Sequence, residues 1–114
     1  MIKIDELIGR LKFDDRGLLP VVVQSALDER VLMVAWTNLE ALKQTVKIGE
    51  AVFYSRSRAE LWHKGATSGN TQKLQSIEVD CDADTLLYRV VENGPACHNG
   101  TNSCFDTDEV ELNG

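Results

Sequence analysis

The sequence predicts an α+β fold, a largely antiparallel sheet with one main helix packed on it. Three observations carry that prediction. Apolar, β-branched runs outnumber helical patterns and fall mostly as neighbours along the chain. Only one stretch carries both a helix start and a helix stop signal. No repeat, linker or low-complexity segment interrupts the 114 residues, so 1–114 reads as a single domain.

The elements follow in order. Ile4, Leu7, Ile8 and Leu11 keep helical spacing and predict a short amphipathic helix. LLPVVVQSAL and RVLMVAWT read as two strands joined at Asp28-Glu29 as a hairpin. Asn38 offers a capping oxygen to a helix through Leu39, Leu42 and Val46, and Gly49 is placed to end it. AVFYS, 51–55, reads as a third strand. RSRAELWHKGATSGN, 56–70, carries loop signals and ends in Gly65, Ser68, Gly69 and Asn70. QKLQSIEVDCD, 72–82, alternates. Leu74, Ser76, Glu78, Asp80 and Asp82 share one face, and Lys73, Gln75, Ile77, Val79 and Cys81 the other. TLLYRVV, 85–91, is the antiparallel return, followed by NGPACHNGTNSCF, a Gly/Asn-rich loop.

Composition narrows the function classes. A hydrophobic share of 43% and a charged share of 26% are ordinary for a globular protein. No run approaches a membrane span, and MIKIDELIGRLKF is too charged for a signal peptide, so no membrane partner and a cytoplasmic location with reduced thiols are expected. The net charge of −6, from 18 acidic and 12 basic residues, argues against a nucleic-acid partner. Arg56, Arg58, Lys64 and Lys73 nevertheless cluster, which suggests a local anion site.

The segment DCDAD, 80–84, places carboxylates at every second position with a thiol between them. A polar hairpin turn would explain it, and so would metal. On a regular strand Asp80 and Asp82 face away from Cys81, which sorts hard oxygen ligands for magnesium, calcium or manganese from a soft ligand for zinc. Asp80 and Asp84 would then lie roughly 13 Å apart. Either the chain turns at Ala83-Asp84, or one carboxylate acts through water or substrate. An EF-hand is excluded, because Thr85 and Val91 stand where its glycine and its bidentate acid belong.

Cys81, Cys97 and Cys104 are spaced C-x15-C-x6-C, without the close pair of a zinc ribbon. Inert buried thiols are one reading. The polar loop around Cys97 and Cys104 favours the other, three thiolates with an open fourth position, the pattern of a catalytic zinc that activates water. His98 would then be a fourth ligand, a general base or a solvated loop residue, while His63 reads as surface. SRSR, Lys64 and the TSGN loop offer the donors that phosphate oxygens need. Trp36 and Trp62 would suit base stacking or the core.

GLLPVVVQ, TNLEAL, YSRSRAELWHKGATSGN, DCDAD and ACHNGTNSCF, in that order, resemble the signature blocks of the phosphoribosyl-AMP cyclohydrolase family over residues 17 to 105. The resemblance implies a hydrolase of histidine biosynthesis that opens the adenine ring of 1-(5-phosphoribosyl)-AMP at its N1–C6 bond by a zinc-activated water. It implies magnesium on Asp80, Asp82 and Asp84. It also implies zinc on Cys81, Cys97 and Cys104, shared between the subunits of an intertwined homodimer, with His98 as general base. Arg56, Arg58, Lys64, Ser68 and Gly69 become candidate contacts to a small nucleotide substrate. Ala66 and Asn70 depart from the pattern, standing where members often carry Glu and His, which raises the weight on His98. Two alternatives remain: a non-enzymatic domain with a zinc-clamped dimer, or a related metallohydrolase acting on another purine nucleotide.

Overall fold

The computed structural model describes residues 1–97 and 100–112. Its order is α1 (Ile4–Arg10), β1 (Leu19–Ser25), β2 (Val31–Thr37), α2 (Leu39–Ile48), β3 (Val52–Ser55), β4 (Glu60–His63), β5 (Gln72–Val79) and β6 (Leu86–Glu92). The strands form one six-stranded sheet in the order β4-β3-β2-β1-β6-β5. Every neighbouring pair is antiparallel except β1 and β6, which run parallel with Val21 opposite Leu86. The sheet is therefore mixed, and the α+β class stands. None of the described helices is long and apolar enough to cross a membrane.

The hairpin predicted at Asp28-Glu29 forms between β1 and β2, with Glu29 in the left-handed region at φ 64°. Burial alternates along β1, so Leu19, Val21 and Val23 are buried and Pro20, Val22 and Gln24 are less so. Each such burial contributes about 1.5–3 kcal/mol. A bulge between Val23 and Gln24 breaks the alternation on β2 and buries Leu32 and Met33 in succession.

Asn38 caps α2 as the sequence predicts, its side-chain oxygen accepting the Ala41 amide at 2.8 Å. Gly49 ends the helix at φ 80°, a conformation glycine adopts without a Cβ penalty. Ala41, Leu42 and Thr45 face inward. Phe53 joins the two halves of the core, 5.7 Å from the Trp62 ring and 6.1 Å from the Tyr88 ring. Truncating a buried aromatic at that position costs about 3–5 kcal/mol.

Two sequence expectations are corrected here. The segment 56–70 is not all loop, because β4 lies inside it and pairs with β3 along its full length. Its residues Glu60 and Leu61 are exposed and Trp62 and His63 half-buried, so this short edge strand carries no apolar alternation to reveal it. Likewise β5 does not alternate without a break from 72 to 82. A register shift between Leu74 and Ser76 switches its faces, so Leu74, Ile77 and Val79 all pack against the core. The strand ends at Val79.

The sheet also curls. The Ala51 amide donates to the Gln72 carbonyl at 2.8 Å, and the Leu74 amide to the Gly49 carbonyl at 2.9 Å. These bonds bring the start of β5 to the start of β3. The chain segments after β4 and β6 consequently gather at one end of the molecule.

Candidate active site

That end holds a cavity of about 480 Å³, lined by Arg58, Trp62, His63, Lys64, Ser68, Asn70 and Cys97 among others. Gly65 makes its floor possible. It lies at φ 82° against the Asn70 and Thr71 backbone, where a Cβ would overlap main-chain atoms. Asn93 Nδ2 donates to the Gly69 carbonyl at 3.0 Å and its amide to the Thr71 carbonyl at 2.8 Å, tying the 65–71 loop to the end of β6. Gly69 therefore shapes the loop, and it does not line the cavity.

Trp62 also borders a second cavity of about 520 Å³, shared with Arg16, Trp36, Ser55, Arg56 and Ser57. There the Arg56 guanidinium lies 4.3 Å from the centre of the Trp36 ring. Arg58 and Lys64 thus meet in one cavity, while Arg56 occupies the next. Lys73 is exposed on β5 and lines neither.

Lys64 is not the exposed loop cation the sequence suggests. It is 7% exposed, with its ammonium 5.8 Å from the Trp62 ring centre. His63 is no simple surface residue either. Its Nε2 lies 2.8 Å from a Glu50 carboxylate oxygen, and both side chains are half-buried.

Cys97 is buried and Cys104 exposed. The two thiols lie together. Partial burial, hydrogen bonding with Cys97 and the charge of Cys97 push the Cys104 thiol up; Lys64 opposes the shift and Glu92 adds to it. The backbone fixes this arrangement through the Cys104 amide, which donates to the Leu32 carbonyl at 2.7 Å, and the Ser103 hydroxyl, which donates to the Val31 carbonyl at 2.7 Å. His98 lies outside the described residues.

The acidic segment sits at the other end of the β5–β6 hairpin. Residues 80–84 form its turn: the Ala83 amide donates to the Asp80 carbonyl at 3.1 Å, and Ala83 takes φ 62°. Asp80 Oδ1 accepts the amides of Asp84 at 3.0 Å and Thr85 at 3.2 Å. Of the two geometries left open by the sequence, the chain turns. The carboxylate oxygens of Asp80, Asp82 and Asp84 come within 4.8 Å of one another. Among the described residues this is the one group of three or more metal-type side chains that converges. Desolvation acts to raise Asp80, but bonds with the Asp82 and Asp84 side chains and the two amides outweigh it and hold Asp80 below its ordinary value. Asp82 is pushed up, first by sharing hydrogen bonds with Asp80 and Asp84 and then by their charges.

Cys81 is exposed within this turn and away from the other two thiols. β5 alone, from Gln72 to Val79, spans roughly 23 Å at about 3.3 Å per residue. Glu92, from which the chain runs on to Cys97, pairs with Gln72 at the far end. The three cysteines of one chain do not meet.

The chain is a small α+β domain with a polar, cationic pocket at one end of its sheet. The family profile described as phosphoribosyl-AMP cyclohydrolase matches residues 33–106. The chain is similar to the phosphoribosyl-AMP cyclohydrolase of Micrococcus luteus, 49% identical over 108 residues, which are 95% of this chain and 86% of that protein. It is 50% identical over 105 residues to that of Thermobifida fusca, covering 92% of this chain and 90% of that protein. The histidine biosynthesis bifunctional protein HisIE of Gloeobacter violaceus is 58% identical over 100 residues, 87% of this chain. The chain spans about half the length of that bifunctional relative, 46% of it. The chain belongs to the phosphoribosyl-AMP cyclohydrolase family, a family of hydrolases.

Proposed function

We propose that this chain hydrolyses the N1–C6 bond of the adenine ring of 1-(5-phosphoribosyl)-AMP, a ring-opening step of histidine biosynthesis, in the cytoplasm. The observation that carries the reading is the cavity joining Cys97 to Arg58, Trp62, Lys64 and Ser68 in a chain of this family. In the reaction a water oxygen bonds to C6, the N1–C6 bond breaks, and N1 takes up a proton. The exocyclic amine is left as a carboxamide. His98, next in sequence to Cys97, is the group proposed to take the proton from water and return it to N1. Trp62 offers a face to the purine, and Arg58 and Ser68 offer donors to a phosphate. Arg56 would serve the second phosphate from the adjoining cavity.

The residues fit two metals. Asp80, Asp82 and Asp84 present clustered hard oxygens suited to magnesium. Cys97 and Cys104 present neighbouring thiols suited to zinc. When bound, zinc supplies a Lewis acid that lowers the pKa of water, and magnesium supplies positive charge to orient phosphates. Since Cys81 cannot reach Cys97 within one chain, the third thiolate is proposed to come from a second copy, in a homodimer. Cys81 lies between Asp80 and Asp82, so the same association would bring the acidic turn of one copy to the cavity of the other.

The test is turnover of phosphoribosyl-AMP by the purified chain, followed by ultraviolet absorbance, with zinc quantified and magnesium supplied. Metal-dependent ring opening supports the reading. Zinc without turnover points instead to a structural clamp or to another purine nucleotide.

A further inference from the structure

Lys64 lines the cavity but is only 7% exposed, so most of its side chain is enclosed by protein. Its backbone is fixed at the end of β4, where its amide donates to the Ala51 carbonyl at 3.1 Å. The Trp62 ring at 5.8 Å offers it only a weak attraction. Among the described residues no carboxylate lies within ion-pair distance of its ammonium. A buried charge needs compensation from somewhere nearby.

The groups around it supply the candidates. Cys97 lines the same cavity. Glu92 closes β6, and one of its carboxylate oxygens is buried with no hydrogen-bond partner among the described residues. Lys64 and Cys97 thus share one cavity, and Glu92 ends the strand from which the chain runs on to Cys97.

We infer that Lys64 and Glu92 are opposed positioning residues that set how tightly the Cys97–Cys104 site holds its metal, Lys64 tightening it and Glu92 loosening it. The inference rests on the proposed reading that these thiols ligate zinc. Three thiolates on a divalent cation leave a net negative charge, and a fixed ammonium beside it stabilises that charge. A carboxylate near the site would oppose it. The balance would hold zinc firmly while limiting its negative field toward a substrate that carries phosphates.

The experiment is zinc competition against a chromophoric chelator, using the full chain as wild type, Lys64→Gln, Lys64→Arg and Glu92→Gln. Lys64→Gln is expected to weaken zinc affinity by about 10–100-fold, the range for groups just behind metal ligands. Lys64→Arg restores most of it, and Glu92→Gln moves affinity the opposite way. A purely structural role would weaken binding in both neutral variants, and that outcome overturns the inference. So does a Lys64→Gln protein with unchanged zinc affinity and a raised KM, which would return Lys64 to the phosphate. If Lys64→Gln fails to fold, Glu92→Gln decides alone: tighter zinc supports the inference, and equal or weaker zinc overturns it. A wild type that takes up no zinc overturns the underlying ligand reading before any variant is compared.

Discussion

The guanidinium of Arg30 and the carboxylate of Asp106 meet at 2.7 Å, across 76 residues of sequence. Asp106 also accepts the Ser103 amide at 3.1 Å. Together these bonds fasten the segment carrying Cys104 to the β1–β2 hairpin.

A pH dependence follows from that fastening. The Arg30 hydrogen bond first, then the Ser103 amide, hold the Asp106 carboxyl below its ordinary value of 3.8. A carboxyl depressed in the folded state stabilises it above its unfolded pKa, and that stabilisation is lost as pH falls through the folded value. Asp106→Asn should therefore melt below the wild type at neutral pH, with the two curves converging under about pH 4. Thermal melts across the acid range test this. A gap that stays constant with pH would assign the effect to lost packing.

Thr45 sets a second prediction. Its buried hydroxyl accepts the Val52 amide at 3.0 Å and lies 2.9 Å from the Ala41 carbonyl, joining α2 to β3. Thr45→Val keeps the shape but leaves a buried amide unpaired, which should cost about 1–3 kcal/mol in urea unfolding. Thr45→Ser keeps the hydroxyl and should cost about 1 kcal/mol, for the lost methyl. Equal losses in the two variants would mean that the hydroxyl is not what matters.

The acidic turn should reveal itself through opposite effects in two solutions. Asp80, Asp82 and Asp84 crowd like charges, so Asp82→Asn should raise the melting temperature in a chelator. The same variant should lose any stabilisation by magnesium, and its turnover, while zinc content survives. Wild-type turnover in Asp82→Asn would remove the turn from the reaction.

Subunit sharing gives a complementation test. Cys81→Ser and Cys97→Ser should each be inactive and poor in zinc. Unfolded together and refolded, a random mixture should regain about a quarter of wild-type activity, since each mixed dimer would carry one intact site. Failure to regain any, with mixed dimers shown to form, would refute a site built across two copies.

Much of this was legible in the sequence, and the failures have local causes. Asn38 and Gly49 bracket α2 because capping chemistry is encoded within a few residues. The apolar, β-branched run LLPVVV announces β1 just as directly. The strand β4 escaped because an exposed edge strand of four residues needs no apolar face. The alternation drawn from Leu74 to Asp82 failed at a bulge and then at the turn, and both depend on what β6 offers across the ladder. On the site, the acids and thiols stand out by type and spacing. The burial of Lys64 does not, because it looks like an ordinary surface charge until the curl of the sheet encloses it.

The parallel pairing of β1 with β6 has a consequence for how the molecule comes to be made. β1 leaves the ribosome early, zips to β2, and then waits with its other edge open until residues 86–92 arrive. During that interval Val21 and Val23 lack their cover and a row of amides and carbonyls lacks partners, the condition in which strands of neighbouring chains adhere to one another. The contacts that close the sheet are among the most distant along the chain, so they form late and slowly. The arrival of β6 therefore ends a period of vulnerability for β1. A translational stall ahead of Leu86 would leave a sticky fragment where a stall after Glu92 would leave a nearly finished sheet.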